Sequence, residues 1–425
     1  MNLTKIENTQ LGEVMYAGEH KSGLGVFIIP KKGFLRKYAV IGTRYGSIDN
    51  KFIPRDGDGA IEVPDGIAHF LEHKLFEQPD GTNAFDKFSK YGADANAFTS
   101  FNCTCYLFSC TNNFNENLEH LLSYVQQPYF TDENVQKEQG IIGQEIRMYD
   151  DDPDWQVQFN LLKALYKNNP VNIDIAGTTD SIAKIDKDIL YKCYNTFYDP
   201  SNMSLCVVGD IDVDEVSDII ENTVKGDGRG SKAVSVYPQE PEGAYKNEIR
   251  SKLDVSIPLF NMGYKDNCQH TGDDLIKNEI AMKILTKIIA GDSSHLYTDM
   301  YEDGIINSSF DTDVMCEPQF SCVIFGGESE KADEVCSRIQ SRVEYYKENG
   351  ICKEDFERVR KAVLGSYART FNDVRNIGNM VVKNILNGVN PFKFYEVFET
   401  VDIEYVTERF IDVFRKENLA VSIVS

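Results

Sequence analysis

The chain repeats one pattern of elements, and that repetition limits its fold more than any other feature. A strand-like run, TCYLFSC, is followed by two helical patterns joined by a short turn, NENLEHLLSYVQQPYFTDENVQKEQGIIGQEI. About 200 residues later FSCVIFGG is followed by EKADEVCSRIQSRVEYYKENGICKEDFERVRKAVLGSY, the same order of strand, helix, acidic turn and long helix. A period that long indicates a duplicated domain rather than a solenoid. Strands come in runs with helices on one face, so the expected class is α+β with mainly antiparallel sheets covered by helices. Between the halves, KGDGRGSKAVSVYPQEPEG replaces apolar periodicity with Gly, Pro, Ser and charge, as a linker does. The expected organisation is a domain over 1–228, a linker over 229–243 and a homologous domain over 244–425. A length of 425 residues suits two hydrophobic cores better than one.

Charge narrows the function. A net charge of -23 argues against a nucleic-acid partner, because phosphate binding depends on clustered Lys and Arg. No apolar stretch approaches the roughly 20 residues that span a bilayer. The start, MNLTKIENTQLGEVMYAGEH, lacks the basic and apolar blocks of a signal peptide. Ten cysteines without a CxxC pair read as reduced thiols, and a cytoplasmic location is expected.

The chemistry lies in VPDGIAHFLEHKLFEQPDG. Pro64 and Asp65 suit a helix start, with Asp65 as the expected cap. Ile67, Phe70, Leu71 and Leu75 then form an apolar stripe, while His69, Glu72, His73 and Phe76 form a second one. Two histidines four residues apart on a helix project side by side, within the span of one metal ion. Glu72 lies close enough to reach a metal-bound water without being a ligand. A catalytic zinc takes three protein ligands, so the third must come from elsewhere. The helix DENVQKEQGIIGQEIRMY offers Glu138 and Glu145 on one face, and its Gly140 and Gly143 would allow a close helix approach. His20, His120, His270 and His295 show no partner at ligand spacing.

At HFLEH the sequence resembles the insulinase (pitrilysin) family, whose inverted motif is His-x-x-Glu-His, and the resemblance extends over nearly the whole chain. It implies Glu145 as third ligand and Glu138 as an outer-shell carboxylate. ADANAFTSFNCTCY is similar to the family's edge strand, which implies that Asn96, Ala97 and Phe98 bind substrate backbone. The resemblance further implies two αβ-roll domains per chain and a closed chamber formed by two chains. Many members carry an Arg and a Tyr after a Ser-Ser-x-Leu-Tyr stretch. Here SSHLYTDMYEDGIINSSF contains no Arg, and Tyr301 and Asn307 stand at about those positions. The chain is thus similar to the catalytic β-type subunit of processing peptidases, and to the catalytic-type member of bacterial two-gene pairs. That implies a homodimer, or a heterodimer with a related subunit. The expected activity is that of a zinc endopeptidase acting on unfolded or extended peptides, with one Zn2+ per chain and Glu72 as base. A zinc-binding subunit that needs a partner, or a largely non-catalytic peptide-binding scaffold, is the alternative. Mn or Co in place of zinc is compatible with two His and one Glu.

Overall fold

The structure is a computed structural model that describes residues 1–55, 57, 59–226 and 233–425. The expected domain boundary at 228/229 lies outside the described residues. Fifteen strands form three sheets among the described residues. β1 (Leu3–Asn8), β2 (Glu13–Glu19), β3 (Gly25–Pro30) and β4 (Lys37–Thr43) open the chain. β5 (Lys51–Ile53) and β6 (Ile61–Glu62) make a small hairpin, and β7 (Asp94–Thr99), β8 (Thr104–Cys110) and β9 (Met203–Gly209) complete the first half. β10 (Val234–Ser235), β11 (Glu248–Ser251), β12 (Leu259–Asp266), β13 (Asp311–Glu317), β14 (Phe320–Glu328) and β15 (Leu419–Val424) follow.

The chain divides into two compact units. The first contains a seven-stranded sheet ordered β1-β2-β3-β9-β4-β8-β7, in which only the β3–β9 pair is parallel. The second contains a sheet ordered β11-β15-β12-β14-β13, in which only β11–β15 is parallel. Five strands of each sheet therefore share one order, and they place their parallel pair at the same point. The duplication and the mainly antiparallel α+β class both hold. β9 is buried at all seven positions, as a central strand covered on both faces must be.

The units do not follow the chain halves contiguously. The first comprises Met1–Ile146, Asp174–Tyr237 and Ala368–Phe392, and the second Arg147–Ile173, Pro238–Tyr367 and Lys393–Ser425. Helix Pro153–Leu165 packs on β12 and β15 in the second unit, while helix Val374–Leu386 packs on β4 and β9 in the first. Each is the third helix of its repeat, so the repeats exchange equivalent helices. In the second unit Val157 joins Leu259 and Val424 in the core. In the first unit a Cβ at Gly378 would fall 2.6 Å from the Tyr38 ring. The Tyr38 hydroxyl donates to Asn379 Oδ1 at 2.6 Å in the next position. The expected linker is also less free than its composition suggests. β10 pairs with β5, and the Tyr237 hydroxyl donates to buried Asp49 at 2.6 Å, which fixes Val234 to Tyr237 to the first unit.

Candidate metal centre

The site lies within the first unit, on helix Ile67–Lys74. Asp65 does not cap this helix, because its carboxylate accepts from Asn50 Nδ2 at 2.9 Å instead. The cap is Gly66, whose φ of 87° has no side-chain hydrogen bond to help it. A Cβ there would sit 2.3 Å from the Ala176 carbonyl oxygen, so glycine is required both by conformation and by space. Ile67, Phe70, Leu71 and Leu75 are all buried, which turns the other stripe toward helix Asp132–Asp150. On that helix Gly143 is buried, but Gly140 faces open space, so the close approach expected at Gly140 does not occur.

His69, His73 and Glu145 converge. His69 Nε2 lies 3.7 Å from Glu145 Oε1 and His73 Nε2 lies 3.6 Å from Oε2. One ligand atom from each falls within 4.8 Å of the others. These separations are too long for hydrogen bonds. They are close to the roughly 3.3 Å edge of a tetrahedron with zinc–ligand bonds of about 2.0–2.1 Å. The donor set, two imidazoles and a carboxylate, therefore fits a zinc ion. His73 Nδ1 is bound to Glu138 Oε1 at 3.1 Å, an arrangement that would orient the imidazole for metal binding.

The local charges favour a cation. Burial, aided by neighbouring His73, lowers the His69 pKa to about 4, which keeps this imidazole neutral with a lone pair to donate. Burial also works against charging His73, but Glu138, Glu72 and Glu145 together outweigh it and hold its pKa above the ordinary value. Glu138 is buried yet sits below the ordinary carboxylate range, because His73 and Lys74 outweigh burial. Glu72 stands beside the ligands. It is 7% exposed, and burial raises its pKa against the opposing pull of Thr99 and His73.

Two residues that the sequence reading missed belong here. Lys74 is fully buried, with Nζ 2.8 Å from Glu77 and 3.6 Å from Glu138. The Thr99 hydroxyl donates to Glu72 Oε2 at 2.6 Å. Their only sequence signal is adjacency, Lys74 to His73 and Thr99 to Asn96-Ala97-Phe98. Asn96, Ala97 and Phe98 lie on β7, the edge strand of the sheet, with Asn96 and Phe98 exposed and Ala97 half-buried. Asn96 Oδ1 accepts from the Ala97 amide at 2.9 Å. Tyr301 and Asn307 belong to the second unit. Tyr301 is exposed, and Asn307 Nδ2 donates to Glu328 at 3.0 Å.

His270 does have near neighbours, Asp266 and Cys268, which the spacing analysis passed over. Arg409 already donates to Asp266 at 2.7 Å and Asn278 to its other oxygen at 3.0 Å, so this cluster holds a guanidinium rather than a metal. All ten cysteines are free thiols. Among the described residues no helix is long and apolar enough to cross a membrane.

Comparison with known proteins identifies the family. The family description "Insulinase (Peptidase family M16)" matches residues 61–179, a range that includes His69, Glu72, His73, Glu138 and Glu145, and "Peptidase M16 inactive domain" matches 184–363. The Bacillus subtilis uncharacterized zinc protease YmfH is 42% identical over 410 residues, covering 94% of each chain. The Helicobacter pylori zinc protease PqqE is 24% identical over 346 residues, 77% of this chain and 76% of that one. The crystal structure of an M16-like peptidase from Alicyclobacillus acidocaldarius superposes with a TM-score of 0.94 at 35% identity, covering 98% of this chain and 99% of the other. The chain belongs to the insulinase family of peptidases, M16.

Proposed function

We propose that this chain is a zinc-dependent endopeptidase that hydrolyses extended peptides. The observation that carries the reading is the convergence of His69, His73 and Glu145, with the carboxylate of Glu72 beside them but outside the ligand set. A zinc ion held by those three side chains would polarise the scissile carbonyl and make a water acidic near neutral pH. Glu72 takes the proton from the attacking water and passes it to the departing amine nitrogen, as a C–O bond forms and the C–N bond breaks. Glu138 keeps His73 oriented, and Lys74 balances the charge of Glu138 and Glu77. The peptide adds as a further strand on β7 at Asn96, Ala97 and Phe98, where main-chain hydrogen bonding gives affinity with little sequence preference. A cytoplasmic setting is part of the proposal, in keeping with ten cysteines that all stand as free thiols.

Pairing with a second chain completes it, as a homodimer or with a related subunit. The absent Arg, and an Asn307 amide already engaged by Glu328, favour a partner that supplies the carbonyl-binding side chains. The test is cleavage of a flexible fluorogenic peptide by the purified chain, with metal content measured on the same sample. Cleavage lost on chelation and restored by zinc is expected, either alone or after mixing with a similar-length subunit that lacks HxxEH. A full zinc complement with no cleavage in either case would overturn the reading in favour of a peptide-binding scaffold.

A further inference from the structure

Thr99 touches both parts of the proposed machinery. It is the last residue of β7, one position beyond the Asn96–Phe98 edge, and it pairs with Thr104 across the hairpin. Its hydroxyl reaches out of the sheet to Glu72 Oε2 at 2.6 Å. Among the described residues the other hydroxyl beside it is that of buried Thr104, 3.4 Å away, which donates its own hydrogen to the Tyr45 carbonyl at 2.8 Å. A threonine has one hydrogen to give, so Thr104 can only accept from Thr99. The Thr99 hydrogen thus has two acceptors to choose between, the Glu72 carboxylate and Thr104 Oγ1.

We propose that Thr99 is a positioning residue, which fixes the Glu72 carboxylate for proton transfer and ties it to the strand on which the peptide docks. The inference rests on the peptidase reading above. While Glu72 is a carboxylate, Thr99 donates to it. Thr99 keeps its bond to Oε2 while Oε1 stays open to take the proton from water and pass it to the amine. Threonine suits the task because its β-branch stiffens χ1 on a strand.

The test compares Thr99→Val, which keeps the shape and removes the donor, with Thr99→Ser, which keeps the donor, in the full zinc-loaded chain with any partner the activity requires. Thr99→Val is expected to lower kcat about 10- to 100-fold, the usual cost of losing a group that orients an active-site side chain. KM, zinc stoichiometry and melting temperature should stay at wild-type values, and Thr99→Ser should recover most of kcat. Thr99→Ala gives the same expectation should valine disturb the strand. An unchanged kcat in both donorless variants would overturn the proposal, as would an equal loss in Thr99→Ser. So would a loss that appears only in KM or zinc content, since that is what a purely structural threonine would produce. Crystal structures of wild type and Thr99→Val give a second readout, in which the Glu72 carboxylate should leave its wild-type position, and an unmoved carboxylate would overturn the proposal. If the wild type cleaves no peptide, the peptidase reading fails separately, and the position of Glu72 still decides what Thr99 does.

Discussion

The two units build five strands in one order around one parallel pair, yet among the described residues only the first brings two histidines and a glutamate together. The clearest difference lies on the long helix of each repeat. In Asp132–Asp150 the buried positions include Val135, Glu138, Ile142 and Ile146, and in Lys353–Thr370 they are Phe356, Val359, Val363 and Tyr367. Counted from the first residue of each helix the two sets fall in register. Glu138 then answers to Val359, and Glu145 to Ser366. A fold that accepts valine in one copy does not need a carboxylate in the other, so the buried Glu138 is explained by what it binds. It is the position where the first unit departs from a simple apolar stripe, and Lys74 and His73 are the partners that make the departure tolerable.

Variants can sharpen or break that comparison. Glu72→Gln should cost the most, lowering turnover by about 10²–10⁴-fold, the span ascribed to general acid–base catalysis, while zinc content stays full. A variant that cleaves at the wild-type rate would remove Glu72 from the mechanism. Lys74→Met comes next. It leaves Glu77 and Glu138 facing each other without their cation, at a cost of about 3 kcal/mol, the low end for a broken buried pair because Glu77 is partly exposed. Urea unfolding of metal-free protein measures this without interference from metal binding. The double variant Lys74→Met/Glu138→Val should regain most of that loss, since it recreates the apolar stripe of the copy. A double variant no more stable than the single one would mean that the two helices are not equivalent. Glu138→Val alone should weaken zinc binding about 10- to 100-fold, as loss of an outer carboxylate does. Competition with a zinc indicator measures it.

Much of this was legible in the sequence because periodicity reports burial. The two stripes of helix Ile67–Lys74, strands β8 and β14 and the helices that follow them stand where the pattern puts them. What periodicity cannot report is which partner a buried face meets. An amphipathic helix reads the same whichever sheet covers it, so nothing in Pro153–Leu165 or Val374–Leu386 announces their exchange. Asp65 has good capping chemistry but spends it on Asn50, and the turn is decided by space at Gly66. Thr99 and Lys74 escaped notice because a hydroxyl on a strand and a lysine on a helix are ordinary until the fold sets them against carboxylates. The exchanged helices also yield a prediction. Val157 and Gly378 are each the fifth residue of their helix, and Gly378 lies against the Tyr38 ring. Gly378→Ala should destabilise by about 1–3 kcal/mol through overpacking on Tyr38, seen as a lower urea midpoint at an unchanged slope. A neutral or stabilising result would show that Tyr38 can move aside.

The smallest expected effect contrasts two buried aspartates, one in each unit. Burial raises the Asp49 pKa, and the Tyr237 hydroxyl and Gly46 amide only partly offset it. Burial also opposes ionisation of Asp266, but His270, Arg409 and the Cys268 amide outweigh it and hold the group below the ordinary range. The signs are opposite. With its folded pKa raised, Asp49 gives a contribution that is complete below the unfolded value of about 3.9 and is lost as pH rises through the folded one. With its folded pKa depressed, Asp266 gives a contribution present above about pH 3.9 and lost as pH falls through the folded value. Melting temperature followed across mildly acidic pH should therefore change slope in Asp49→Asn, and below about pH 4 in Asp266→Asn. Slopes rather than absolute values carry the comparison, because Asp266→Asn also strips Arg409 of its buried partner at every pH. Parallel wild-type and Asp266→Asn curves below pH 4 would mean that the guanidinium does not hold Asp266 ionised, and the Asp266–His270 cluster would regain its claim as a cation site.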